Sequence, residues 1–144
     1  MAKMSDADWK RTKYFSPSEA WGDPALMERE TVFLLDGVRE IVGHPIIIHC
    51  GYERRPNRPT SRHNDGSAVD FHICGEDYRG AVELVEGAIE GLGVADRVGL
   101  GIYPHWNHPG FHLDTRGWCA RWGAVNRNGK QTYVSYNEAL IYII

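Results

Sequence analysis

The spacing of apolar residues predicts two amphipathic helices. The first covers about residues 24–42 and ends at Gly43, because apolar positions recur three and four residues apart along this segment. The second covers about residues 78–92 and ends at Gly93. Its apolar side contains Tyr78, Ala81, Val82, Val85, Ile89 and Leu92. Both helices are therefore expected to bury one face.

A clean apolar–polar alternation predicts a strand over residues 67–73. Its side chains divide into two faces, with Val69, Phe71 and Ile73 on one and Ala68, Asp70 and His72 on the other. Further strands are predicted at residues 45–49, 98–103 and 111–115. Helices followed by strands with one intervening helix indicate an α+β fold, with a small, mainly antiparallel sheet flanked by helices.

Shorter elements are predicted near both ends of the chain. Residues 1–13 carry no clear pattern and are expected to form a poorly ordered start. Residues 16–19 (Ser-Pro-Ser-Glu) resemble a capping box and predict a short helix that stops near Gly22. A strand near Tyr133 and a short helix from Asn137 complete the prediction.

Length and composition indicate one globular domain over residues 1–144, which we expect to be a monomer. The net charge is −3, from 16 basic and 19 acidic side chains, so the chain lacks the basic surplus that nucleic-acid binding needs. No apolar run reaches the ~20 residues of a membrane span. The start has no apolar stretch of the secretory type, so we expect synthesis in the cytoplasm without a signal peptide.

The three cysteines, Cys50, Cys74 and Cys119, are odd in number, widely spaced and free of any Cys-x-x-Cys pair. A disulfide framework and a thiolate metal site are therefore both disfavoured. We expect free, buried thiols.

Two separated segments carry the residues that point to metal chemistry. His63 stands in a loop seven residues before Asp70, which lies within the alternating strand, and Gly66 allows the chain to turn between them. An aspartate among apolar neighbours is costly to bury unless it is paired or bound to a metal. His112 and Asp114 share one face of a later strand. Asp70 and the two histidines suit Zn²⁺, and three protein ligands leave a fourth position for an acidified water.

The segment from residue 61 to residue 70 matches S-x-H-x-x-G-x-A-x-D and resembles the signature of the zinc D-alanyl-D-alanine carboxypeptidase family. That metallopeptidase family includes phage L-alanyl-D-glutamate endolysins, D,D-dipeptidases and hedgehog-like domains. Residues 112–114 (His-Leu-Asp) are similar to its His-x-Asp, and residues 50–54 (Cys-Gly-Tyr-Glu-Arg) to its Ser-Gly-Tyr-Arg turn. The similarity covers about residues 14–122. It implies the family's α+β fold, a zinc ion and peptidoglycan peptide as substrate class.

Carried over by position, the resemblance implies that His63, Asp70 and His112 are the zinc ligands and favours His63 over the rival His72. It also implies that Arg54, or its neighbour Arg55, binds a substrate carbonyl or carboxylate. A guanidinium beside the metal would stabilise a developing oxyanion. Two nitrogens and an oxygen could also bind Mn²⁺ or Co²⁺.

The general base is the point at which the sequence departs from the family. Many relatives place a carboxylate three residues before the last ligand, and here that residue is Pro109. The nearby candidates are His105, His108, Glu53 and Asp114. We favour His108, because an ordinary histidine pKa of about 6.5 suits proton transfer near neutrality. Asp114 fits better as an acceptor that orients a ligand or Arg116.

These observations predict a zinc-dependent peptidase that hydrolyses an amide bond in peptidoglycan stem peptides or cross-bridges. Such an enzyme would act on the cell wall, and a missing secretion signal fits a phage lysis enzyme released by a separate membrane pore. The first alternative is a zinc-containing cell-wall-binding module without turnover. A second alternative is a metal hydrolase acting on a cytosolic dipeptide.

Overall fold

The computed structural model of the protein describes residues 2–143 and shows an α+β fold built on a six-stranded mixed sheet. The helices are α1 (Asp6–Arg11), α2 (Arg29–Val42), α3 (Tyr78–Gly91) and α4 (Tyr136–Ile141). The strands are β1 (Ile46–Cys50), β2 (Ala68–Ile73), β3 (Gly99–Tyr103), β4 (Gly110–Asp114), β5 (Ala120–Arg127) and β6 (Lys130–Val134). Two short 3-10 helices cover Pro24–Leu26 and Arg62–Asp65.

The strand order is β1-β2-β4-β3-β5-β6, and only β3 and β5 run parallel among the neighbouring pairs of the described chain. The expected α+β class is therefore confirmed. The sheet is larger than expected because β5 was missed at the sequence level, and its parallel pairing with β3 makes the sheet mixed. No helix within residues 2–143 is both long and apolar enough to cross a bilayer.

The apolar side of the sheet and the two long helices share one buried core. Val69 and Phe71 of β2 and Phe111 and Leu113 of β4 are fully buried in it. The apolar faces of α2 and α3 complete this core with Val32, Leu35, Val38, Val82, Val85 and Ile89. Because strand side chains alternate, this packing directs Asp70 and His112 to the opposite side of the sheet. The core therefore determines which face carries the candidate site.

The start of the chain differs from the prediction. Residues 6–11 form α1, where Ser5 and Asp8 cap each other's backbone amides as a capping box. Trp9 is buried and its ring centroid lies 5.2 Å from that of Trp21. The expectation of a poorly ordered start over residues 1–13 is therefore wrong for residues 2–13, and Met1 lies outside the described residues. A six-residue helix is too short to show a helical period.

The first long helix is interrupted. It was expected over residues 24–42, but α2 begins at Arg29, after the 3-10 helix and an extended Met27. Met27 is fully buried and its carbonyl accepts a hydrogen bond from the Met4 amide, which holds it out of the helix.

The short helix expected after residue 16 is absent from the described chain, although Glu19 does accept a hydrogen bond from the Ser16 amide. This segment forms turns. One half of a capping box is therefore present without the helix that it normally begins.

Candidate metal centre

The pairing of β2 with β4 brings Asp70 and His112 together. These residues are direct partners in the antiparallel register, so their side chains leave the sheet side by side. His63 reaches the same point from the 3-10 helix Arg62–Asp65, which precedes β2. This helix ends at Gly66, whose φ of 75° is a left-handed conformation, and a Cβ there would lie 2.0 Å from the Leu26 carbonyl oxygen. The glycine thus allows the turn that delivers His63.

One carboxylate oxygen lies between the two imidazole rings. Asp70 Oδ1 is 3.2 Å from His63 Nε2 and 3.2 Å from His112 Nδ1. Ligand atoms bound tetrahedrally at 2.0–2.1 Å from a zinc ion stand about 3.3 Å apart, so both separations fit that geometry. His63 is 1% exposed and His112 9% exposed. Asp70 Oδ1 thus lies close to both imidazoles at a largely buried point, whereas the group whose ligand atoms all lie within 4.8 Å of one another joins His63 and Asp70 to Cys50 and does not include His112.

The hydrogen bonds of His63 leave one nitrogen free to bind a metal. Its Nδ1 is 2.7 Å from the Gly51 carbonyl oxygen, which only accepts, so we assign a proton to Nδ1. Its buried Nε2 has no hydrogen-bond partner among residues 2–143, although it faces Asp70. Metal-binding histidines commonly donate the opposite N–H to a carbonyl in this way. The orphaned Nε2 is the observation that fits a metal ion best.

His112 is oriented by a buried carboxylate behind it. Its Nε2 donates to Asp114 Oδ2 at 2.7 Å, which leaves Nδ1 facing Asp70. Asp114 is fully buried and also accepts from Arg116, through Nε at 2.8 Å and Nη2 at 2.7 Å. Gly99 makes room for this carboxylate, since a Cβ there would lie 2.6 Å from both oxygens. Asp114 is thus placed behind His112, away from any substrate.

The carboxylate and the imidazoles alter one another's protonation. Burial lowers the pKa of His63, but the Asp70 carboxylate, 3.2 Å from Nε2, and the nearby Cys50 thiol outweigh it and raise this pKa to about 9. Burial likewise lowers the pKa of His112, but the hydrogen bonds and charges of Asp114 and Asp70 outweigh it, so this pKa is raised overall. Burial raises the pKa of Asp70, but the two histidines hold it well below its ordinary value. Without a metal, the site holds protons that a cation must displace.

This electrostatic coupling predicts how stability depends on pH. The pKa of His63 is about 9 in the folded protein and 6.5 ordinarily, so its contribution is complete below pH 6.5 and disappears as the pH rises through 9. In chelator, the free energy of unfolding should therefore fall between those two pH values. In saturating zinc it should stay level, because bound imidazoles carry no such proton. Urea unfolding across this pH range checks the difference, and equal slopes with and without zinc would contradict it.

A cavity of about 490 Å³ opens above the three groups. Four arginines line it, together with aromatic side chains, and among residues 2–143 Asp70 is the only carboxylate in its wall. The lining residues include Arg55, Arg58, Arg62, Arg116, Tyr103, Trp106, Trp122 and Tyr133. Such a wall suits a ligand that carries carboxylate groups and apolar surface.

The structure prefers Arg55 to Arg54 in this cavity. Arg54 is exposed and lies outside the lining, whereas Arg55 lines it and places Nη2 3.7 Å from Cys50 Sγ. Arg55 Nε also donates to Glu53 Oε1 at 2.6 Å. The structure thus places Arg55, the second choice made from the sequence, in the cavity wall, and leaves Arg54 outside it.

The favoured base, His108, lies outside the cavity. Its exposed ring stacks on His72 with centroids 4.6 Å apart, and His72 in turn is bonded to His49 through a ring nitrogen. His105 is also engaged elsewhere, because its Nδ1 accepts the Asn126 amide at 2.8 Å. Neither loop histidine is thus brought to the donor set.

Cys50 is the neighbour that sequence reasoning missed. Its Sγ lies with ligand atoms of His63 and Asp70 in a group whose members are all within 4.8 Å of one another. The thiols are free as expected, but Cys50 and Cys74 are half-buried and Cys119 is exposed, so the expectation of burial is wrong. A thiolate metal site was disfavoured from the cysteine pattern, yet Cys50 stands beside two of the expected ligands. Cys50 lies beside the site because it pairs directly with Asp70 across β1 and β2, and this register cannot be predicted from the residues alone.

Comparison with family models, with curated proteins and with solved structures gave no match to this chain. The assignment of the site therefore depends on its own residues and their geometry.

Proposed function

We propose that this protein is a zinc-dependent peptidase that hydrolyses an amide bond in bacterial peptidoglycan peptides. The observation that carries the proposal is the orphaned His63 Nε2, which meets Asp70 and His112 at the floor of the arginine-lined cavity. The motif at residues 61–70 supports membership of the D-alanyl-D-alanine carboxypeptidase and hedgehog-like family, with the corresponding fold.

The ligands of the proposed centre are His63 Nε2, His112 Nδ1 and Asp70 Oδ1. When bound there, Zn²⁺ would polarise the scissile carbonyl and acidify a water. The Asp114 carboxylate holds His112 in the tautomer that binds, and Gly51 does the same for His63. These contacts are in place before any ligand enters, so little reorganisation is required.

The cavity arginines account for substrate binding in this proposal. Arg55 lies beside the donor set and is placed to bind the carbonyl oxygen as negative charge develops on it. Arg58 and Arg62 also line the wall, where they can pair with free carboxylates of a stem peptide. Trp122 and Tyr103 are joined by a 2.9 Å hydrogen bond and provide a fixed apolar side.

Glu53 is the best-placed general base among the candidates. Its Oε2 lies 3.8 Å from Cys50 Sγ, which itself belongs to the cluster around His63 and Asp70. We expect Glu53→Gln to lower kcat by about 100- to 10,000-fold, the usual contribution of a general base, with zinc content unchanged. His108→Ala is the matched comparison and should change kcat by less than about tenfold, since its ring stacks on His72 and not on a residue of the donor group. A large loss with His108→Ala and none with Glu53→Gln would reverse the assignment.

The function is tested by incubating the purified protein with intact sacculi and with isolated muropeptides. Mass spectrometry of the released fragments should show new amino termini, which disappear with chelator and return with zinc. Free D-Ala-D-Ala serves as a second substrate and distinguishes a cytosolic dipeptidase from a wall enzyme. Zinc-dependent binding to sacculi without new termini would instead support the binding module, which the nearby thiol of Cys50 favours because it could close the site.

A further inference from the structure

We propose that Cys50 is a fourth protein ligand, which closes the metal centre while no substrate is bound and leaves it when substrate enters. The inference rests on the proposed metal centre and adds a mode of regulation to it. A centre of two histidines, one aspartate and one cysteine would be fully coordinated at rest, and closed zinc sites of this kind bind tightly without catalysing hydrolysis.

A β-bulge places the thiol on the correct face of the sheet. Ile48 pairs with Phe71 and is buried on the apolar side, and simple alternation would put Cys50 on that side too. The register shifts between Ile48 and Cys50, so Cys50 becomes the direct partner of Asp70. Bulges commonly redirect a side chain in this way beside functional sites. The irregularity thus brings the thiol to the metal side.

Cys50 Sγ lies close to the other donor groups. It forms one group with a nitrogen of His63 and an oxygen of Asp70, whose members all lie within 4.8 Å of one another. Its contact with the imidazole ring, 3.8 Å, is to Nδ1, the nitrogen that also faces the Gly51 carbonyl. To share an ion with the unpartnered Nε2, the half-buried thiol must therefore move along the ring toward Asp70.

The charged groups around the sulfur offer it two positions. Arg55 Nη2 lies 3.7 Å away and would balance the charge of a metal-bound thiolate. Glu53 Oε2 at 3.8 Å and the Gly51 carbonyl at 3.7 Å can accept the S–H of a thiol that has left the metal. On binding, Cys50 loses its proton to solvent as the sulfur–metal bond forms. On displacement by substrate, that bond breaks and the sulfur regains a proton.

The experiment measures alkylation of each cysteine by iodoacetamide in the native chain, with zinc and with chelator, followed by peptide mapping. Zinc should slow alkylation of Cys50 at least about tenfold. Cys119, which is exposed, and Cys74, which contacts His72, are internal controls whose rates should not change. Because position 50 is unaltered, the measurement does not depend on a variant that could misfold.

Cobalt replacement gives an independent readout. The Co²⁺ form should show a near-ultraviolet thiolate-to-metal absorption, which Cys50→Ser and Cys50→Ala both abolish while the protein still binds the ion about 10- to 100-fold more weakly. Initial hydrolysis by the zinc-loaded Cys50→Ala protein should rise, because the fourth position is then open.

The two proposals fail in different ways. Stoichiometric zinc binding with no protection of Cys50 and no thiolate band would overturn the role of Cys50 and leave the three-ligand centre intact. Protection that persists in both Asp70→Asn and His112→Ala would support metal binding by the thiol but overturn the proposed centre. No metal binding by the unaltered protein would overturn both.

Discussion

Replacing Asp70 by asparagine is expected to lower zinc affinity by more than about 100-fold and to abolish peptide hydrolysis. Removing a residue that hydrogen-bonds a metal ligand already lowers metal affinity by about 10- to 100-fold. Removing the ligand itself should therefore lower it more. Asp70 Oδ1 is the one atom that contacts both imidazoles, at 3.2 Å each. Competition against a chromophoric chelator measures the affinity, and release of new amino termini measures the activity.

Asp96→Asn is the matched control for this change. The side chain of Asp96 is 84% exposed, and its cationic partner is the neighbouring Arg97. The same loss of one negative charge there should leave zinc affinity and hydrolysis within about twofold, because surface charges interact weakly through water. An Asp70→Asn protein that keeps zinc within a few-fold of the unaltered affinity would contradict the ligand assignment.

Asp114→Asn should have the second largest effect, although Asp114 is not itself a proposed metal ligand. The amide can no longer accept from His112 Nε2 and from both Arg116 nitrogens at once, so His112 loses the partner that orients it. We expect zinc affinity to fall about 10- to 100-fold. Stability should fall by about 1–3 kcal/mol, the usual cost of an unsatisfied buried hydrogen-bonding group. Calorimetric zinc titration and urea unfolding in chelator measure the two effects separately.

Arg116→Lys provides a graded comparison for Asp114→Asn. It keeps the positive charge beside Asp114 but loses the paired geometry of the guanidinium, so zinc affinity should fall by less than in Asp114→Asn. A protein with normal zinc affinity after Asp114→Asn would show that Asp114 supports the fold and not the metal centre.

Local rules predicted the face on which the Asp70 and His112 side chains lie, whereas the pairing of Asp70 with His112 joins residues 42 apart and was expected only from the family resemblance. Strand alternation separates Asp70 from Val69 and Phe71, and the same rule separates His112 from Phe111 and Leu113. Antiparallel pairing of neighbouring strands then makes Asp70 and His112 direct partners. The turn at Gly66 accounts for His63.

The features that sequence reasoning missed depend on contacts between distant segments. The bulge at Cys50 arises from the pairing of β1 with β2 and leaves no pattern in the residues. Strand β5 has an irregular pattern and is recognisable only through its parallel pairing with β3. Arg55 enters the cavity instead of Arg54 because the Asn64 side chain accepts its backbone amide and fixes the turn.

The proposed function requires that His63, Asp70 and His112 bind one divalent cation. Anomalous diffraction at the zinc edge from zinc-treated crystals measures where the ion binds. We expect a single peak about 2.0–2.2 Å from His63 Nε2, His112 Nδ1 and Asp70 Oδ1. A peak elsewhere, such as between His49 and His72, with none at these three atoms, would contradict it.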